Sequence, residues 1–432
     1  MQREHQRILT DLLSLPTAPF AEHHVIDYVR EFCRRRPALS LAQDGSGNLL
    51  IRFGPRKRRP IVLAAHMDHP GFIVQTSLAP SRPLRGAGRV SFSPGDSSCA
   101  GGGRGGRASR PAGGGQDACA SKGVTLSPKT TPRDVNIGRH LVRAKWYGGV
   151  RPEYFAGAPV RFFDGGKWVR GRVVRVECGP DGKAPRVSHV EAVLAQPVPA
   201  GAVGMWDLDG PVVRRGRLFA RGCDDVAGVA ATLACLDELV RHRSRGSLHV
   251  LLTRAEEVGF VGAIAACRNR TISPDAVVVS IECSSELPGA KMGDGPILRV
   301  GDLATTFSPA ATAWCRAVAE RLAASSPSFV FQRKLMDGGT CEATAYGEFG
   351  YDATGLCIAL GNYHNMDCAR KRLAPEYIDP ADWEGLVRWF VALATTELRC
   401  DGRHAGLRKR LRNLERIYRE DLQAGLGSRM SP

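Results

Sequence analysis

The chain has little that would place it in a membrane or outside the cell. None of its 432 residues falls in an apolar run approaching the ~20 residues of a membrane-spanning helix. Residues 1–16 lack the apolar core and small-residue cleavage site of a secretory signal. The 13 cysteines are odd in number and form no CxxC pair, which argues against a disulfide framework and a structural zinc site. We therefore expect a cytoplasmic protein with no membrane partner.

Acidic residues are fewer than basic ones, and the net charge is +17. Such an excess can serve phosphate binding. Residues 82–139, however, hold ten Lys or Arg and three Asp among Gly, Ser and Pro. The surrounding stretch, 77–139, offers almost nothing apolar to bury, so we predict a disordered Gly/Arg-rich insertion. A linker is the more usual role of such a tract, and we do not expect nucleic acid as the partner.

Elsewhere the apolar pattern predicts an α/β fold. Two amphipathic helices flank Pro16, with period-3.6 apolar faces. Strands are predicted over 48–53, 61–65, 248–253, 276–281 and 354–360, and helices over 258–267, 308–324 and 380–396. Their alternation indicates a mainly parallel sheet sandwiched by helices.

A small all-β module interrupts this pattern. Apolar and polar residues alternate around Gly-rich turns between 140 and 203, which predicts an inserted, barrel-like β-domain. The predicted organisation has a main α/β domain in two parts, 1–76 and 204–400, interrupted by the insertion 77–139 and the β-domain. Residues 401–432 are predicted to form a basic C-terminal helix or tail, solvated along Arg408 to Arg412.

Residues able to bind metals or move protons follow several predicted strands or open a helix, which is where open α/β sheets place their sites. They are His66, Asp68, Asp224, Glu256, Glu257, Glu282 and His364. Each has an ordinary explanation when taken alone, such as a helix cap, a satisfied polar pair or a solvated charge. Their common position at strand ends favours a shared site.

The chemistry of three of these clusters is complementary. His66 and Asp68 point the same way along a strand, so that the carboxylate can accept the second imidazole N–H. Asp224 precedes a helix, where a carboxylate can bridge two cations. Of the adjacent pair at the next strand end, Glu257 can bind a metal while Glu256 stays free to take a proton from water.

The order of the motifs resembles that of the co-catalytic metallopeptidases. Along the chain come HMDHPGF from His66, CDD from Cys223, AEEVG from Ala255, a strand ending in an acid, GGT from Gly338, and a loop histidine. The combination is similar to the M42, glutamyl-aminopeptidase-like, family, which is related to M20 and M28. A β-domain between the first histidine and the CDD motif is typical of M42, whereas M20 enzymes insert a lid before the last histidine.

The resemblance implies a dinuclear-metal aminopeptidase that removes N-terminal residues from peptides. Its two divalent ions would be bound by His66, Asp224, Glu257, Glu282 and His364. Asp224 would bridge the ions, with His66 and Glu282 on one ion and the remaining two ligands on the other. Zinc suits such ligands, with cobalt or manganese as alternatives. The family also implies a homo-oligomer, a dodecamer in relatives.

The resemblance further makes Glu256 the general base and Asp68 the support of His66. Three positions depart from the family pattern and leave substrate preference and efficiency open. Glu282 stands where Asp is usual, Cys341 where Asp follows GGT, and Val226 where Arg follows the bridging pair.

Two other functions stay open at this point. One is an M20-type deacylase or carboxypeptidase with the same metal site. The other is a catalytically silent scaffold or nucleic-acid-binding protein that uses the Arg-rich segments.

Overall fold

The computed structural model describes residues 2–78, 140–179, 186–397 and 405–427. The predicted insertion therefore lies outside the described residues, apart from its first two, which end a strand. The helices are α1 (Arg3–Ser14), α2 (His23–Arg34), α3 (Val226–Arg241), α4 (Val261–Arg268), α5 (Pro309–Ser325), α6 (Glu342–Glu348), α7 (Pro380–Thr395) and α8 (Ala405–Gly427).

The strands divide between a large sheet, a barrel and two small sheets. They are β1 (Leu39–Gln43), β2 (Leu49–Phe53), β3 (Ile61–His66), β4 (Gly71–Leu78), β5 (His140–Tyr147), β6 (Pro159–Asp164), β7 (Lys167–Gly179), β8 (Arg186–Leu194), β9 (Val203–Trp206), β10 (Val212–Arg214), β11 (Arg217–Ala220), β12 (Leu248–Thr253), β13 (Val277–Ser285), β14 (Ile297–Arg299), β15 (Gln332–Lys334), β16 (Asp352–Leu360), β17 (Met366–Asp367), β18 (Arg372–Leu373) and β19 (Glu376–Ile378).

The large sheet has eight strands in the order β1-β2-β12-β3-β13-β16-β14-β15. Its centre, β12-β3-β13-β16, is parallel, while β1, β2 and β14 add antiparallel pairs towards the edges. The central strands are near-continuous buried runs, as expected for a parallel sheet covered on both faces. The predicted α/β class with a mainly parallel sheet is confirmed.

Period-two alternation sends successive side chains of the sheet to opposite faces. Leu63 and Ala65 join the larger core cluster, whereas Val62 and Ala64 join the smaller one. The larger cluster is covered by α1, α2, α3, α5 and α7, and the smaller by α4 and α6. The sheet is thus sandwiched by helices, five against two.

Six strands, β4-β5-β8-β7-β6-β9, close into a small barrel. Its core is aromatic, with Phe72, Trp146, Phe155, Phe162 and Trp206 in edge-to-face and tilted contacts. A closed inserted barrel matches the predicted barrel-like module. It also takes in β4, most of which the predicted boundaries assign to the main domain, because Phe72 and Val74 point into the barrel core.

The remaining elements are peripheral to this core. β10, β11 and β19 form a three-stranded sheet, and β17 pairs with β18. In α8 the run from Arg408 to Arg412 is solvent-exposed. Within the described ranges, no helix combines the length and apolar character needed to cross a membrane.

Candidate metal centre

The candidate site lies at the carboxyl ends of the central parallel strands. His66 ends β3 and pairs in register with Thr253, the last residue of β12, so the turn that carries Glu256 and Glu257 starts beside it. Ser280 of β13 pairs with Ala64, which brings Glu282 level with His66. Strand register therefore assembles residues from distant parts of the sequence at one edge of the sheet.

Asp224 is the centre of the cluster. Its Oδ1 lies 3.8 Å from Nε2 of His66, and its Oδ2 lies 3.8 Å from Nε2 of His364. On the first side, Glu282 Oε2 is 4.0 Å from His66 Nε2. On the second side, Glu257 Oε2 is 3.1 Å from His364 Nε2. The two oxygens of one carboxylate thus face two separate histidine and carboxylate pairs.

Among the described residues, potential ligand atoms lie within 4.8 Å of one another in four overlapping groups: His66, Asp224 and Glu282; Asp224, Glu257 and His364; His66, Glu256 and Glu257; and Asp224, Asp225 and Cys283. The first two groups contain all five predicted metal ligands. The third places Glu256 beside the His66 side, with its Oε2 3.8 Å from His66 Nε2.

Asp68 has a wider role than the sequence indicates. Its carboxylate accepts the backbone N–H groups of Glu256 at 3.0 Å and Glu257 at 3.1 Å. Its main-chain carbonyl lies 3.1 Å from His66 Nδ1, closer than its carboxylate Oδ1 at 3.6 Å. The nearest acceptor for an N–H on His66 Nδ1 is therefore the carbonyl of Asp68, while its carboxylate receives the two amides. Asp68 orients both sides of the cluster.

Burial and crowding shift the acidity of the cluster strongly. Burial raises the pKa of Asp224, Glu256 and Glu282, and neighbouring carboxylates add to the effect. Glu257 is the exception, because burial raises its pKa but His364, His66 and His69 together outweigh burial and lower it. Burial alone would lower the pKa of His66, but Glu256 and Asp68 outweigh it and raise that pKa well above the usual range.

The donor set fits divalent cations. In the part of the chain that the structure describes, His66 Nε2, Glu257 Oε1 and Glu282 Oε1 are buried without a hydrogen-bond partner. Buried polar atoms normally have partners, and unpaired ones need an explanation such as an ion. Crowded carboxylates and imidazoles with unpaired atoms facing one centre have the composition of a zinc, cobalt or manganese site.

Three buried residues that sequence reasoning missed support this cluster. Glu376 accepts the N–H groups of Cys223, Asp224 and His364. His69 Nδ1 lies 2.7 Å from the carbonyl of Asp224, and its Nε2 lies 3.3 Å from Asn365 Oδ1. His69 and Asn365 follow predicted strands, within the HMDHPGF motif and beside the loop histidine, but nothing in the sequence showed which groups they contact. Glu376 gave no signal beyond an acid in the short segment Glu376–Ile378.

The positions that depart from the family pattern are all buried. Val226 packs in the main core at the start of α3. Cys341 supplies a buried thiol in place of a carboxylate, and its main-chain N–H donates to Asp302 at 3.0 Å. The next residue, Glu342, places a second acid nearby, and burial raises its pKa to about 8. Glu342, whose raised pKa favours the protonated form, therefore lies next to Cys341, the position where the family pattern has Asp.

A parallel sheet sandwiched by helices, with histidines and carboxylates gathered at its carboxyl edge, defines a metallopeptidase-like α/β protein. A sequence model of the M42 glutamyl aminopeptidase family matches residues 186–370, which span part of the barrel and most of the second α/β part. This match bears out the resemblance to that family over the residues it covers. It also confirms the predicted enzyme class, a peptide hydrolase of the aminopeptidase type.

Solved structures share the fold. A TET1 peptidase from Pyrococcus horikoshii is 17% identical, with 91% of this chain and 100% of that chain covered and a TM-score of 0.62. An aminopeptidase from Desulfurococcus kamchatkensis is also 17% identical, with 91% and 95% covered and a TM-score of 0.63. A PhTET1 structure described as a dodecamer is 18% identical, with 92% and 100% covered and a TM-score of 0.64.

Proposed function

We propose that this protein is a dinuclear-metal aminopeptidase that removes N-terminal residues from peptides. One observation carries the proposal. The two oxygens of Asp224 each lie 3.8 Å from a different histidine, which is the arrangement that a carboxylate bridging two cations requires. The family match supplies the peptide-hydrolase class, and the geometry supports the count of two ions.

The residues that would hold the ions divide into two groups around Asp224. His66 and Glu282 would bind one ion, and Glu257 and His364 the other. Bound there, two divalent ions would supply Lewis-acid chemistry for peptide hydrolysis. Zinc is the ion we favour, with cobalt and manganese as alternatives, because imidazole and carboxylate donors accept all three.

Glu256 is the proposed general base. Its side chain is 10% exposed and stands on the His66 side of the cluster, where it can take a proton from a nucleophilic water and deliver it to the leaving amine. Asp68 fixes the start of the turn through the backbone N–H groups of Glu256 and Glu257. The base is therefore held on a rigid turn at the strand end.

Hydrolysis of a panel of aminoacyl anilides tests the proposal, with chelated protein, protein reloaded with zinc, cobalt or manganese, and Glu256→Gln. Cleavage should be lost with chelator and restored by metal. Glu256→Gln should lower kcat by about 10²–10⁴-fold, the usual contribution of a general base, while retaining both ions. Glu348→Gln is the control, because Glu348 is an exposed acid at the end of α6.

The same panel, extended with N-acyl amino acids, distinguishes the aminopeptidase from the M20-type alternative. Cleavage of N-acyl amino acids in place of free-amine anilides would indicate a deacylase or carboxypeptidase. The structure favours the aminopeptidase, because the segment between Glu282 and His364 supplies β14 and β15 to the large sheet where an M20 enzyme would insert its lid. Two bound ions with no cleavage of either substrate class would favour the silent scaffold.

We further propose that the chain is a homo-oligomer acting on peptides in the cytoplasm, with a main α/β domain in two parts and the barrel as an inserted domain that includes β4 and β9. The support is the structural similarity to TET1, described as forming a tetrahedron or a large octahedral shell. Light scattering on the purified protein should give a multiple of the chain mass, twelve if it follows the PhTET1 dodecamer. A monomer in solution would contradict the assembly proposal without affecting the catalytic one.

A further inference from the structure

A buried carboxylate outside the ligand set joins the two halves of the candidate metal centre. Glu376, in β19, is 0% exposed. Its Oε2 accepts the N–H of Cys223 at 2.6 Å and that of Asp224 at 3.2 Å, and its Oε1 accepts the N–H of His364 at 2.8 Å. One side chain therefore holds the main chain at the bridging carboxylate and at the last histidine.

The main chain around His364 needs such support. Asn362, His364 and Asn365 have φ values of 55°, 52° and 63°. These lie in the left-handed region, which residues other than glycine adopt at an energetic cost. Gly361 and Tyr377 exchange two backbone hydrogen bonds, of 2.9 and 3.2 Å, which hold β19 beside this strained turn. The bond from His364 to Glu376 is thus part of what keeps the turn in place.

We propose that Glu376 is a positioning residue that sets the spacing between Asp224 and His364, and so governs affinity for the ion on the His364 side. The inference rests on the proposed dinuclear function. Asp224 and His364 would bind that same ion, together with Glu257. The ion on the other side would depend on Glu376 through Asp224 alone, so a change at this position should act unequally on the two ions.

Glu376→Gln is a sharp test because it keeps the size of the side chain and removes one acceptor. Three N–H groups converge on two carboxylate oxygens, whereas an amide offers one oxygen and an NH₂ that cannot accept. At least one N–H then loses its partner, and a buried unpaired N–H forces the main chain to move or stay destabilised. The movement falls on the Cys223–Asp224 segment, on His364 or on both.

The experiment titrates metal-free wild type and Glu376→Gln with Co²⁺, followed by calorimetry and by the visible absorption of the bound cobalt. Wild type should bind two ions. Glu376→Gln should keep one ion at near wild-type affinity and bind the other about 10–100-fold more weakly, as is typical when a group that orients metal ligands is removed. The cobalt spectrum should lose the component of the weakened ion.

Asp382→Asn is the matched control. Asp382 is also a buried carboxylate, 2% exposed, that accepts two backbone N–H groups, from Gly293 at 2.7 Å and Gly295 at 2.9 Å. Its loss should lower stability and leave both cobalt affinities unchanged. Glu376→Asp, which keeps two oxygens on a shorter side chain, serves if the Gln variant does not fold, and should weaken the same ion.

Equal weakening of both ions, or an effect matched by Asp382→Asn, would overturn the positioning role. A wild-type chain that binds one ion would overturn the dinuclear function instead. In that case, unchanged affinity for this ion in Glu376→Gln would reject the positioning role too, and weaker affinity would support it.

Discussion

At the scale of single residues, the candidate site shows which side chains a sequence can identify. His66, Asp224, Glu257, Glu282 and His364 were predicted from metal-capable chemistry at strand ends, and the structure brings them together. The supporting roles of Glu376 and His69 could not be found that way, because their partners are main-chain groups of segments distant in sequence. Ligands carry a chemical signal, whereas the residues that orient them depend on the fold.

Asp68 allows a test of a residue that orients the proposed metal ligands. In Asp68→Asn one of the two acceptor oxygens is replaced by a donor, so either Glu256 or Glu257 loses its backbone partner. We expect metal affinity to fall about 10–100-fold, measured by zinc titration. The control is Asp44→Asn, since Asp44 Oδ1 also accepts two backbone N–H groups, from Ser46 and Asn48, in a turn. Similar affinity loss in both variants would contradict the assigned role.

His249 should make stability depend on pH. Burial, with Arg52 and then Arg56 nearby, lowers the pKa of this β12 histidine from 6.5 to about 4. Because the unfolded chain takes up the proton first, stability is complete above pH 6.5 and is lost as pH falls towards 4. For this partly exposed group we expect a loss of about 1 kcal/mol.

Urea unfolding at several pH values checks this expectation in wild type and His249→Gln. Glutamine does not titrate, so the difference between the two unfolding free energies should shrink or change sign as pH falls from 7 to about 4. A pH-independent difference would show that the folded and unfolded pKa values of His249 are alike.

At the scale of elements, long periodic segments were predictable and short ones were not. The period-3.6 patterns and the buried runs indicated α1, α2, α5, α7 and the central strands to within a few residues. β14, β15 and β19 were missed, because three residues are too few to show a period. Their pairing is decided by the neighbouring strand, and β19 happens to carry Glu376.

Helix α7 provides a test at this scale. Its N-cap, Asp379, accepts the N–H groups of Ala381 at 2.7 Å and Asp382 at 3.4 Å, and Pro380 follows at the first helical position. Asp379→Ala should lower the unfolding free energy by about 1 kcal/mol, measured in urea, because these N–H groups lose their acceptor. Asp379→Ser should recover most of the loss. If Asp379→Ala and Asp379→Ser have the same unfolding free energy, the side-chain cap does not stabilise α7.

At the scale of the whole molecule, the barrel is where predicted and observed organisation differ. The alternation after residue 140 predicted a β-module, but its first strand, β4, lies before the insertion. In the sequence, the long Gly/Arg-rich stretch lies between β4 and its partner β5, so their pairing could not be predicted. In the structure the two join through register, with Leu78 opposite Leu141 at the ends of β4 and β5. The described residues on either side of the stretch 79–139 therefore lie at neighbouring points of the barrel.

This juxtaposition predicts that residues 79–139 can be replaced by a Gly/Asn-rich turn of about four residues, the usual length of a hairpin connection. The shortened chain should fold with an unchanged thermal midpoint, bind the same number of metal ions and cleave the same anilides, because β4 and β5 pair directly with each other in register. Its retention on an RNA column should fall, since the replaced stretch carries ten Lys or Arg from residue 82 onwards.

Light scattering of full-length and shortened chains then separates two further roles of the segment. If the shortened chain assembles into more subunits than the full-length chain, residues 79–139 limit oligomerisation through the barrel. An equal number of subunits would exclude that role. Loss of folding or of metal binding in the shortened chain would contradict the prediction and make the segment part of the working enzyme.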